Sequence, residues 1–186
     1  MGLFRNVFAA TAVVGLVAMG GCASTANSPA SRADISNSSS QALNQLVRDN
    51  PAAAAISKQS RAVLIFPSIV KAGLVFGGAY GEGALIVDGA PVQYYSAAAG
   101  SFGIQIGIEQ YSSALFFGTD SRLQKFRSRD GWTAGADLEY TAWDHGEDAD
   151  IDNHTVLETV YGVVFGQEGL HIGATLEGSK YSTITR

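Results

Sequence analysis

Lys58, Arg61 and Lys71 flank an apolar, glycine-rich run, and Arg122, Lys125, Arg127 and Arg129 crowd together further on. Point charges in such sets suit phosphate, each contributing about 1 kcal/mol beside an anionic surface. On a helix, Arg122 and Lys125 share a face at spacing three, and Arg129 stands one turn past Lys125. The chain as a whole is acidic, with net charge −5, and no Lys or Arg lies between Asp130 and Lys180. Such a balance excludes a protein that coats nucleic acid. A local basic patch on an acidic body would turn toward anionic lipid. The plainer alternative is solvated charge, with the 122–129 set answering the acidic stretch that follows it.

Other chemistry is less complete. Asp148, Asp150 and Asp152 have the alternate spacing of a calcium loop. An EF-hand wants Gly sixth and Glu twelfth, and Asn153 and Thr159 stand there. His145 and His154 could ligate a transition metal, but a solvated acidic loop is the simpler reading, and no metal or other cofactor is expected. A serine hydrolase would need Ser101, one of His145, His154 or His171, and an Asp. No Gly-x-Ser-x-Gly elbow is present, and Ser101 sits within an apparent strand. Gly78-x-x-Gly81-x-Gly83 reverses the dinucleotide-binding order and lacks a following helix. No catalytic residue is assigned, and the chain reads as a non-enzyme.

The first residues look like an export signal. Arg5 gives a positive start, Val7 to Ala18 is apolar, and Gly20-Gly21-Cys22 follows. The apolar run is short of the roughly 20 residues that span a bilayer. Cys22 is the sole cysteine, so no internal disulfide forms. Its place after two glycines resembles a bacterial lipoprotein box, although Met19 stands where Leu is usual. That resemblance implies a fatty-acylated Cys22, and two or more acyl chains anchor stably at about 0.8 kcal/mol per buried methylene. Ala23, rather than Asp, follows the cysteine, which points to the outer membrane facing the periplasm. The expected division is a lipoprotein signal peptide over 1–21, a flexible tether over 22–34 and one domain over 35–186.

The elements that must position the cations follow from periodicity. Ser36 to Asp49 predicts a helix with Ala42, Leu43, Leu46 and Val47 on one face, capped by Ser38 or Ser39. Asn50-Pro51 ends it and opens a second short helix over Ala52 to Ser60. After Arg61 short strands follow: Ala62–Phe66, a bend at Pro67, Gly73–Phe76, Ala84–Val87 and Val92–Ser96. Asp88-Gly89 signals a hairpin. Phe102 to Ile108 alternates like one strand, and Ala114–Phe117 is another. Asp120 to Phe126 predicts the internal helix, capped by Asp120. Gly135–Tyr140, Thr155–Phe165 and Leu170–Leu176 complete the set, with Gly166 to Gly169 as a turn. The expected class is α+β: a curled antiparallel sheet, barrel- or sandwich-like, with N-terminal helices and one short internal helix.

The run from Arg61 to Gly83, ending Gly77-Gly78-Ala79-Tyr80-Gly81-Glu82-Gly83, closely resembles the signature of the SYLF (Ysc84) family. Ala99-Gly100-Ser101-Phe102-Gly103-Ile104-Gln105-Ile106-Gly107 is similar to the family's glycine–serine strand, with Ala99 in place of a glycine. Leu115-Phe116-Phe117, the following helix and Trp132 extend the likeness over roughly Ser40 to Arg186. The resemblance implies binding rather than catalysis: eukaryotic members bind phosphoinositide-containing membranes, and some bind actin filaments. No SH3 domain is visible in this sequence. A bacterial envelope holds no actin, so the portable expectation is affinity for anionic phospholipid headgroups, phosphoinositide-like in chemistry. The alternative is an envelope structural or assembly protein that binds a protein partner or itself through a strand edge.

Overall fold

The computed structural model describes residues 30–73, 76–102, 107–129, 131–134, 140–142, 160–167, 169–171 and 178–185. Helix α1 (Arg32–Asp49) starts ahead of the expected cap. The Ser31 hydroxyl accepts from the Asp34 N–H at 3.2 Å, and the Asp34 carboxylate accepts from the Ser31 N–H at 3.1 Å. This reciprocal capping box satisfies two orphan donors at once, so the last residues assigned to the tether are helical. The Ser31 hydroxyl and the Ser31 N–H both donate to the Asp34 carboxylate, which holds its carboxyl below the ordinary pKa. Ser38, a predicted cap, instead donates to the Asp34 carbonyl from inside the helix. Asn50 ends α1, and its side-chain oxygen accepts from the Ala53 N–H at 2.9 Å to open α2 (Pro51–Gln59).

Among the described residues the strands are β1 (Ala62–Gly73), β2 (Phe76–Val87), β3 (Ala90–Phe102), β4 (Gly107–Phe117), β5 (Trp132–Thr133), β6 (Tyr140–Ala142), β7 (Val160–Gln167), β8 (Gly169–His171) and β9 (Lys180–Ile184), with α3 (Asp120–Arg127) after β4. They form one sheet in the order β5-β9-β3-β2-β1-β4-β7-β6, and β8 pairs with β7. Every pairing is antiparallel except β6 with β7. Asp88 (φ 48°) and Gly89 (φ 78°) form the predicted two-residue hairpin turn between β2 and β3. Of the alternating run from Phe102 to Ile108, Phe102 closes β3 and Gly107 and Ile108 open β4, while residues 103–106 lie outside the described residues. β9 and β5 are strands that the periodicity did not reveal. Residues 135–139, 155–159 and 172–176 of the predicted strands lie outside the described residues.

β1 runs unbroken through Pro67, where the sequence predicts a bend between two strands. It lies between β2 and β4, a place where a proline leaves a ladder bond unmade. A bulge resolves the conflict. From Phe66 to Ile69 β1 spends three steps while β4 spends two, from Ser113 to Tyr111. The extra residue moves the inward side chains from Ala62, Leu64 and Phe66 to Ile69 without breaking the core. The Ser112 hydroxyl donates to the Pro67 carbonyl at 2.7 Å and satisfies the bulged backbone. Opposite it, Gly81 and Gly83 accept the displaced strand. A Cβ on Gly81 would meet the Ser68 carbonyl at 2.5 Å, and one on Gly83 would meet the Ile65 carbonyl and Phe66 Cδ1.

The sheet buries both faces. On one side α1 and α2 bring Leu46, Ala53 and Ile56 onto Val63, Ile65, Ile86, Ala114 and Phe116. On the other, residues from β1 to β4, β5, β7 and β9 share one cluster with Leu123 and Phe126 of α3. The Phe66 and Tyr181 rings stack with centroids 5.5 Å apart, although β2 and β3 separate their strands. Flat, those strands would lie about 14 Å apart, so the sheet curls around this core. Phe126 sits at its centre, with Phe117 at 5.0 Å, Tyr95 at 5.2 Å and Trp132 at 5.8 Å. Tyr111 lines the same core. Burial pushes its phenol up, and Glu109 adds to the shift.

Two predictions follow from this packing. Gly83→Ala should cost about 1–3 kcal/mol in urea unfolding, because backbone must move to admit the methyl; an unchanged midpoint would contradict the close approach. A raised folded-state pKa means the folded chain keeps its Tyr111 proton longer than the unfolded chain. That stability is present below about pH 10 and is lost as pH rises through the folded value. The urea midpoint should therefore fall less steeply above about pH 10 in Tyr111→Phe than in the parent. Equal slopes would contradict it.

Candidate basic rim

The entry to β1 is pinned to the exit of β4 by the Arg61 N–H, which donates to the Phe117 carbonyl at 2.8 Å. Two residues past Phe117, Thr119 caps α3 by accepting from the Arg122 N–H at 3.3 Å; the cap is Thr119 rather than the predicted Asp120. Asp120 instead lies 3.6 Å from the Arg61 guanidinium. Both side chains stand in solvent, where such a pair contributes at most about 1 kcal/mol. Lys58 occupies the last turn of α2, just before Arg61, and is exposed.

Helix α3 is amphipathic in a simple way. Leu123 and Phe126 are buried, and Lys125 and Arg127 are exposed in the last turn. Acid first and base last also suits the helix dipole. Beyond the helix, the Arg129 guanidinium lies over the Trp132 ring, 5.4 Å from its centroid. The Trp132 indole N–H donates to the Phe126 carbonyl, so the ring that seats Arg129 is fixed to the helix end. Arg122 is half-buried.

The Arg61–Asp120 contact sets the start of β1 beside the start of α3; Lys58 on α2 and Arg122, Lys125, Arg127 and Arg129 on or just past α3 flank this junction as a basic rim. Lys71 is not among them. It sits near the other end of β1, about 30 Å away at strand rise, with Nζ 3.7 Å from Glu109 across the β1–β4 pair. Cys22, His145, His154, Asp148, Asp150 and Asp152 lie outside the described residues. Ser101 falls in β3 and His171 in β8, and the described side chains include neither. Among the described residues no three His, Cys, Asp or Glu side chains gather as metal ligands. None of the described helices is long and apolar enough to cross a membrane.

The structure also shows a surface that sequence reasoning missed. Gln110, Val70, Tyr80 and Ala98 form one row across β4, β1, β2 and β3; Ile108, Ala72, Gly78 and Gly100 form the next. Both rows continue the face that α1 covers further along, yet none of the described helices covers them. Ile108 is 81%, Tyr80 52% and Val70 43% exposed. Between these rows and α1 lies a cleft of about 250 Å³ lined by Ser38, Gln41, Gln45, Pro67, Ser112 and Phe165, among others. The signal was present: Val70 and Ala72, like Gly78 and Tyr80, alternate with their neighbours. Periodicity names a shared face but not whether a helix covers it.

Residues 98–185 match the family model Ysc84, described as Las17-binding protein actin regulator. The match begins within β3 and runs to the end of β9, so it includes α3 and the Trp132 seat of Arg129. The glycine-rich run Arg61–Gly83 lies before it, but β1 and β2 pair with β4 and β3 in the same sheet. No curated protein matches the chain. From β3 to its last strand, the chain matches the Ysc84 family model.

Proposed function

We propose that this protein is a non-enzymatic, lipid-anchored module that grips anionic phospholipid surfaces through the rim at the start of β1. The carrying observation is the exposed basic face of α3 on an acidic chain. Leu123 and Phe126 hold the helix down, and the side chains of Lys125 and Arg127 form no ion pair among the described residues. Lys58 and Arg61 extend the same rim, and each cation contributes about 1 kcal/mol near an anionic bilayer. Acylation of Cys22 in the outer membrane, facing the periplasm, would raise the local concentration of the domain at that surface. Lys71, paired with Glu109, sits apart from this rim. The family description, which names a protein ligand, favours a second reading: a protein partner in the envelope docks on the same basic face.

Sedimentation of the full chain with vesicles separates the two. Phosphatidylglycerol vesicles should pellet it at low salt and release it at high salt, while phosphatidylcholine vesicles should not pellet it. Lys125→Glu with Arg127→Glu should weaken the anionic binding by at least about tenfold without changing the unfolding midpoint. Equal recovery on both lipids, with a single protein cross-linked in cells, would favour the partner reading instead.

A further inference from the structure

The cleft beside α1 carries no ionisable side chain in its lining. Gln41 and Gln45 project from one face of α1, one turn apart, and each carboxamide offers both a donor and an acceptor. The Ser112 hydroxyl spends its proton on the Pro67 carbonyl at 2.7 Å, and the Ser38 hydroxyl spends its own on the Asp34 carbonyl at 2.7 Å. Both therefore present lone pairs, and acceptors outnumber donors around the cleft. That balance suits a ligand with several hydroxyls to donate. Nothing here suits a phosphate, which takes cations, and Glu82 on the same face of β2 adds negative charge.

The cleft does not stand alone. Along β4, Ser112 of the cleft is followed on the same face by Gln110 and Ile108, about 13 Å of strand. Val70 and Tyr80 lie beside them across β1 and β2. An uncharged polar pocket thus opens onto an apolar track that no other described residue covers. The track is about 14 Å across and about 13 Å long, a few hundred Å² at most. A second copy of the chain would want about 800 Å² per partner for a standard interface, so the area does not favour a dimer. The α1 flank rises as a wall beside the sheet floor, which a flat bilayer could not follow.

We infer that this step binds a single amphiphile, with an uncharged, hydroxyl-bearing head against Gln41, Gln45 and Ser112 and an acyl chain along Val70, Tyr80 and Ile108. The inference rests on the reading of a lipid-facing module but uses a different surface from the basic rim. A molecule drawn out of the bilayer, rather than the bilayer itself, is its ligand.

Calorimetry and saturation-transfer NMR on the full chain test it with octyl glucoside held below its micelle concentration. Octyl glucoside should bind at least about tenfold more tightly than methyl glucoside, which has the head alone, and than octyl sulfate, which has a charged head. Gln41→Ala with Gln45→Ala should weaken octyl glucoside by about tenfold. Ile108→Glu should do the same while leaving methyl glucoside unchanged. All three positions are exposed, so the unfolding midpoint should hold. Octyl sulfate binding as well as octyl glucoside, indifference to both variants, or no binding at all would each overturn the inference. A chain that pellets with anionic vesicles yet ignores octyl glucoside keeps the rim reading and loses this one; the reverse result keeps this one and loses the rim.

Discussion

β1 is buried on both faces from Ala62 to Phe66 and then meets a proline, and the rest of the sheet is arranged around that conflict. A central strand cannot lose a ladder bond without a remedy. Here the remedy has three parts: an extra residue between Phe66 and Ile69, the Ser112 hydroxyl on the Pro67 carbonyl, and two glycines on β2 that let backbone approach backbone. The same bulge deepens the local twist. It therefore helps the sheet to close on the aromatic core, where Phe66 reaches Tyr181 across two intervening strands. Ser112 then has two duties, since it also floors the cleft beside α1.

The basic rim depends on that core rather than on its own ion pairs. Exposed pairs such as Arg61 with Asp120 contribute little. What fixes α3 is Phe126 among three aromatic rings, together with the Trp132 indole on its carbonyl. The cost of ordering the helix is met by apolar burial, which leaves its charged face available. The arrangement resembles a handle set into a packed body.

Local chemistry was legible in the sequence wherever a residue type dictates a conformation. Asp88-Gly89 encodes its turn, Asn50-Pro51 its helix break, and Leu123 with Phe126 the buried side of α3. Many short strands behind a pair of leading helices argued for the α+β class, and glycines within strands for the curl. Long-range facts were not legible. Pro67 reads as a strand end, because only a partner such as Ser112, distant in sequence, makes a bulge tolerable. Ser31 and Asp34 form a capping box that the serine-rich stretch disguised as tether. Lys71 looked like a member of the set containing Arg61, since sequence separation says nothing of which end of a long strand a side chain occupies. β9 escaped because Lys180 to Ile184 has mixed polarity, and it is held by pairing with β3.

The protein is a curled sheet with cations at one end and an exposed apolar step at the other. The cations match a surface; the step matches one molecule. Hydrogen–deuterium exchange on phosphatidylglycerol vesicles tests the central claim, that the rim is where the protein meets an anionic bilayer. The account predicts slowed exchange in the α2–β1 junction and in α3, absent on neutral vesicles and reversed by salt. Unchanged exchange across α3 while the chain remains vesicle-bound would contradict it.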